Sequence, residues 1–127
     1  MTCVWDAIMR GVVRDQVTND ILGNYSSPLE FVRSIKKRNI LTVGVKWQKQ
    51  PITKQQQKEN FEWIKNYDEN GIQNGHLMST ADPFLILLAY ILDIEFVINY
   101  CGNIITISPN TNSRYTINLT NNSGHMS

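Results

Sequence analysis

The run STADPFLILLAYILDIEFVINYCGNIITIS, residues 79–108, decides how the chain folds. It opens with Ser79 and Thr80 as helix caps, then an early aspartate, Asp82, and an early proline, Pro83, which together mark a helix start. Phe84, Leu85, Leu87, Leu88, Ile91 and Leu92 follow and are apolar around most of a helical circumference. A helix with so little polar face has to be buried on most sides. It runs directly into IEFVINY, whose β-branched and aromatic residues favour a strand. CGN then turns the chain into a second strand, IITIS. A helix buried against strands made by its own downstream neighbours is the nucleus from which the rest is read.

Downstream, YTINL reads as a third strand after a polar loop, and TNNSGHMS as a tail that holds His125. Upstream, DENGIQNG is a turn-rich break. Before it a helix is predicted from near Thr53 to Tyr67, with Phe61 and Ile64 inward. ILTVGVKW alternates through Leu41, Val43, Val45 and Trp47, the period of a strand or extended segment. In SSPLEFVRSIKKRN, Ser27 caps a helix, Pro28 suits its first turn and Glu30 completes a capping box. Phe31, Val32 and Ile35 form its apolar face, and the cationic KKR end suits a helix C-terminus. The first helix is predicted over Val4–Arg14. Trp5, Ile8, Met9, Val12 and Val13 lie on one face, with Asp6, Arg10 and Arg14 on the other.

The chain of 127 residues fits one domain, large enough to bury a core without metals or disulfides. Hydrophobic residues at 42% against 18% charged are ordinary for a globular domain. A net charge of +1 gives no reason to expect a phosphate-tracking groove, so no nucleic-acid partner is expected. PFLILLAYIL falls short of the roughly 20 residues of a membrane span, and no membrane partner is expected. No leader peptide is read at the start, and two cysteines are too few for a disulfide framework. A soluble protein of a reducing compartment is the expectation, which makes the sequons at Asn24, Asn118 and Asn121 accidental. The two Cys and two His lack zinc-site spacing, and no Gly-rich phosphate loop occurs, so no cofactor and no metal are expected.

Cys3 stands where the first helix begins. A free thiol titrates near pH 8.5, so little thiolate exists at neutrality. Unpaired N–H groups and a partial positive charge at a helix start favour the thiolate. The bland alternative is an inert, buried cysteine. A thiol nucleophile also needs a base within hydrogen-bond reach. His76 lies in NGHLMST, and His125 lies at the end of a predicted strand, where an imidazole can meet a helix start packed on the sheet. Cys101, in a turn, reads as structural, and Trp5 as a core residue behind Cys3.

Three stretches resemble one family. CVWDAI, Cys3 to Ile8, resembles the nucleophile motif of ovarian-tumour (OTU) cysteine proteases: Cys, aliphatic, aromatic, polar, small, aliphatic. STADPFLILLAYILDIEFVI is similar to the family's leucine-rich helix that enters a central strand. YTINLTNNSGHMS looks like the strand and loop that deliver the catalytic histidine. The resemblance implies an α/β (α+β) class with a papain-like OTU fold, a small twisted mixed sheet flanked by helices, in a single domain over 1–127. It implies a thiol isopeptidase that removes ubiquitin or a ubiquitin-like protein from conjugates. Cys3 would be the nucleophile and His125 the general base, with backbone N–H groups at and before Cys3 as the oxyanion hole.

The chain departs from the family's pattern as well. The family commonly has an Asp-Gly-polar run before the cysteine, where this chain has only Met1 and Thr2, so a shortened N-terminal region is the expectation. Met126 replaces the usual aromatic after the histidine, and Ser127 stands where an orienting acid or amide often follows. The alternative expectation is therefore a weak or inactive OTU-fold module that binds ubiquitin or another protein. A monomer is expected. The Asn, Ile and Lys bias looks like products of large DNA viruses, which would place a viral deubiquitinase in the host cytoplasm.

Overall fold

The computed structural model describes residues 3–12, 15–23, 25–68, 83–100, 102–122 and 125–126; for residues 3–6, 100, 121, 122, 125 and 126 the description is of the backbone. Along the chain come α1 (Cys3–Val12), α2 (Gln16–Leu22), α3 (Pro28–Lys37), β1 (Lys46–Trp47), β2 (Gln50–Pro51) and α4 (Lys54–Lys65). Then follow α5 (Pro83–Leu92), β3 (Glu95–Tyr100), β4 (Asn103–Ser108), β5 (Thr116–Asn122) and β6 (His125–Met126).

The strands form one sheet in the order β2-β1-β4-β3-β5-β6. β3 and β5 run parallel; the other pairs are antiparallel. The mixed α+β class expected from the resemblance is what the chain forms. Register lines up apolar residues in rows across the three central strands. Ile107, Phe96 and Ile117 make one row, and Ile105, Ile98 and Leu119 the next. All six are buried, while Glu95, Val97, Thr106 and Asn118 between them are partly or fully exposed. One face of the sheet is thus packed and the other is open, which is the pattern of a mostly antiparallel sheet. α5 lies on the packed face against β3 and β4, and α1 lies on it against β5 and β6. α2, α3 and α4 close over α5. The described helices pack on one face of the sheet, because only one set of alternate strand positions is apolar.

Local chemistry explains most of the boundaries. Ser27 caps α3 by accepting from the Glu30 N–H, and Pro28 occupies the first turn. Glu30 reaches back one residue further than a capping box requires and accepts from the N–H and the hydroxyl of Ser26, at 2.6 and 2.7 Å. In α4, Thr53 and Gln56 form the complete reciprocal box. Ile64 is buried there as expected, but Phe61 is half-buried and Gln57 takes the inward position one turn earlier. α5 buries Phe84 through Ala89 without a break. Its Phe84 ring meets Trp63 and Tyr67 edge-on, with centroids 5.7 and 5.1 Å apart.

Three segments differ from the sequence reading. ILTVGVKW does not form a strand along its length, and only Lys46 and Trp47 pair. Leu41 and Val43 are exposed, while Thr42 and Val45 turn inward. Gly44 at φ +85° breaks the alternation, and Asn110 lies so close that a Cβ there would meet it at 2.8 Å. α2 was not predicted, and its seven residues, with only Val17, Ile21 and Leu22 apolar, offer a weak helical period. The supposed tail TNNSGHMS extends β5 to Asn122 and folds back as β6. A further local device closes β1 onto β2. Gln48 and Lys49 both hold positive φ, as a tight two-residue hairpin turn demands. Gln48 offsets that strain by bonding to β4 through its backbone N–H to the Thr106 carbonyl, its amide oxygen from the Thr106 N–H, and its amide nitrogen to the Ile104 carbonyl.

Candidate functional site

The position of α1 on the sheet governs where Cys3 stands. Gly11, near the end of α1, lies against Ile117, the second residue of β5; a Cβ on Gly11 would come within 2.9 Å of the Ile117 Cδ1. Counting back eight residues to Cys3 moves about 12 Å along the helix. Counting forward from Ile117 to Asn122 moves about 17 Å along the strand. β6 pairs with Asn121 and Asn122 at that far end, and α1 approaches β6 to within 8 Å between Cα atoms. With its last turn fixed at the start of β5, α1 can reach β6 only through its opening turns. The first residue of α1, Cys3, and the first residue of β6, His125, therefore belong to the same end of the sheet.

The last turn of α1 is held by a polar cluster at the other end. Asp15, between α1 and α2, caps α2 by accepting from the Val17 N–H at 3.2 Å and from the Thr18 hydroxyl at 2.5 Å. Its two carboxylate oxygens take both terminal nitrogens of Arg114, at 3.0 and 2.9 Å, and the Tyr115 hydroxyl donates to it at 2.7 Å. Arg114 also donates its Nε–H to the Leu92 carbonyl and its backbone N–H to the Asp93 carbonyl. The Asp15 side chain is 10% exposed and that of Arg114 31%. The bidentate Arg114 contact holds the Asp15 carboxyl well below the usual carboxylate range, against the opposing effect of its burial. Burial, and then the hydrogen bond to the Asp15 carboxylate, push the Tyr115 phenol up to about 12. The cluster ties the α1–α2 corner to the end of α5 and to the starts of β3 and β5.

Of the residues singled out in the sequence, Cys3 begins α1 and His125 begins β6. His76, Cys101 and the caps proposed for α5 lie outside the described residues. The side chain of Trp5 lies outside the description as well. In the hairpin ladder His125 is the register partner of Asn122, and Met126 is the partner of Asn121. Asn121 is in phase with Ile117 and Leu119, which are buried on the helix face, and Asn122 is in phase with Asn118 and Thr120 on the open face. The register thus assigns the helix-face position of β6 to Met126 and the open-face position to His125. Among the described residues no group of His, Cys, Asp or Glu could hold a metal ion, and no helix is long and apolar enough to cross a membrane.

Asp15, Arg114 and Tyr115 carry no motif, and the sequence reading did not find them. The one local signal is Asp15 ahead of QVTNDIL, an acceptor before a short helix. Compared with known protein families, with curated proteins and with solved structures, the chain matches none.

Proposed function

We propose that the chain is an OTU-like thiol isopeptidase acting on conjugates of ubiquitin or a ubiquitin-like protein, with Cys3 as nucleophile and His125 as general base. The observation that carries this reading is the approach of α1 to β6 at one end of the sheet, and the open-face register position of His125 is the observation that counts against it. In the proposed reaction His125 takes the thiol proton, and the Cys3 sulfur attacks the isopeptide carbonyl carbon. The C–N bond then breaks as the imidazolium returns the proton to the departing lysine amine. Water hydrolyses the resulting thioester, releasing the carboxylate and the free thiol. The α1 dipole favours the thiolate, and the same exposed N–H groups suit the oxyanion.

A second reading, a non-catalytic module of the same kind that binds ubiquitin, draws support from the β6 register, which assigns the helix face to Met126. One experiment separates the two. A ubiquitin carrying a C-terminal electrophile is incubated with the wild-type chain, Cys3→Ala and His125→Ala. Labelling lost in the first variant and weakened in the second supports the isopeptidase. Ubiquitin binding without labelling supports the module. Labelling that persists in Cys3→Ala and moves to Cys101 overturns the assignment of Cys3, and neither labelling nor binding overturns both readings.

A further inference from the structure

The net charge of +1 conceals a division. Between Phe31 and Lys58 the chain has no Asp or Glu and carries eight of its 12 basic residues; all 11 acidic residues lie elsewhere. The segment is continuous along the chain: most of α3, its connection to β1, the β1–β2 ribbon at the sheet edge, and the opening of α4. Lys37, Arg38, Lys49, Lys54 and Lys58 on it are exposed.

At the centre of this basic segment is an apolar arch. Ile40 is 48% exposed, Leu41 40% and Val43 57%, half of the exposed large hydrophobics among the described residues. The arch is held from inside. Asn39 donates its side-chain amide to the Phe61 carbonyl at 2.9 Å, Thr42 and Val45 are buried, and Gly44 sits tight against Asn110. With residues 39, 42 and 45 anchored, residues 40, 41 and 43 face outward as a consequence of the backbone path.

Cations beside projecting aliphatics restrict the partner. A nucleic acid would use the cations but would gain nothing from Ile, Leu and Val, where stacking faces or hydrogen-bonding groups are needed. A protein interface centres on aromatic and Arg anchors that fill pockets, whereas the three exposed hydrophobic residues of the arch, Ile40, Leu41 and Val43, are all aliphatic. A bilayer with anionic lipids satisfies both features, because phosphates attract the cations and the acyl boundary accepts short aliphatic side chains without shape matching. We propose that the 37–49 arch is a membrane-docking loop, with Ile40, Leu41 and Val43 entering the interface of an anionic bilayer and Lys37, Arg38 and Lys49 at its headgroups. This contact lies on the surface of the bilayer, differs from a membrane span, and is independent of the isopeptidase reading.

The test is co-sedimentation of the full chain with phosphatidylcholine vesicles prepared with and without phosphatidylserine. The wild-type chain should bind the phosphatidylserine vesicles, and added salt should weaken the binding. Lys37→Gln with Arg38→Gln should weaken it roughly thirtyfold. Ile40→Ser, Leu41→Ser and Val43→Ser together should weaken it at least about tenfold, with the circular dichroism melt checking the fold. Val43→Trp supplies a gain-of-binding readout that needs no destabilised variant: binding should tighten, and brominated lipid should quench the new emission. Absence of wild-type binding overturns the proposal. Binding that the serine variants leave unchanged, matched by binding to a DNA duplex or to polyglutamate, overturns it in favour of a general polyanion site. A Val43→Trp emission untouched by brominated lipid also overturns it.

Discussion

The two ends of the central sheet are built by different means. Where β3 and β5 begin, a single carboxylate, Asp15, gathers a helix cap, a bidentate Arg114 and the Tyr115 hydroxyl, joining residues about a hundred positions apart in sequence. Where β5 ends, the chain turns back as a two-residue edge strand beside the opening of α1. One end is cross-linked by charge-assisted hydrogen bonds, which are shorter and stronger than neutral ones. The other depends on backbone pairing and on α1 being held at its far end. The contrast teaches that the Asp15 cluster anchors the end of α1, the helix that Cys3 begins, through the Asp15 N–H bond to the Val12 carbonyl.

The largest expected effect breaks the strong end. Asp15→Ala removes the α2 cap and strands Arg114 and Tyr115, and it should lower the unfolding free energy by about 3 kcal/mol in a urea titration. A loss no larger than that of an exposed Asp20→Ala control would erase the contrast between the two ends. A smaller effect sharpens it through pH. The folded Asp15 carboxyl titrates below its unfolded value of about 3.9, so the unfolded chain binds the extra proton first. The advantage of wild type over Asp15→Asn should therefore be complete above about pH 4 to 5 and should shrink as pH falls through the folded value. Tyr115 works in the opposite sense: its neutral form is favoured in the fold, so its contribution is present below about pH 10 and fades as pH rises towards about 12. Chemical denaturation at several pH values gives both limbs, and a gap independent of pH in acid would contradict the assigned role.

Gly11→Ala probes the joint between the two ends. Overpacking against Ile117 should cost about 2 kcal/mol, and the gain in helix propensity returns about 1, leaving a net loss of about 1. Adding Ile117→Val should recover most of it, and a thermal melt of the double variant reads that directly. The smallest stability effect belongs to the proposed site. Cys3→Ala and His125→Ala should each change the unfolding free energy by less than about 0.5 kcal/mol. A loss of several kcal/mol in either would assign that residue to the core.

Several elements were legible because their causes are local. α5 and β3 follow from an uninterrupted apolar helix entering a β-branched run, and α3 and α4 carry their caps in the sequence. ILTVGVKW misled because alternation alone does not say whether a partner strand is available. Gly44 and the buried Thr42 shift its phase, leaving Leu41 and Val43 outside. The β5–β6 hairpin was read as a tail because its polar residues lack strand propensity, and pairing at the sheet edge overrides it. Cys3 and His125 could be singled out as reactive types in apt local settings. Their convergence was an expectation of the sequence, from a histidine at a strand end and a cysteine at a helix start; the parallel pairing of β3 with β5 and the contact of Gly11 with Ile117 that bear on it were not legible there.

By itself the sequence determined α1, α3, α4 and α5, the central strands, the composition of the core and the segregation of its charges, since each of these is a property of neighbours within a few residues. Tertiary structure alone decided the one-sided sheet, the Asp15 cluster and the face of each β6 residue. Those depend on which distant segments pair and in what register, and a shift of one residue exchanges the two faces of a strand while leaving every local preference intact.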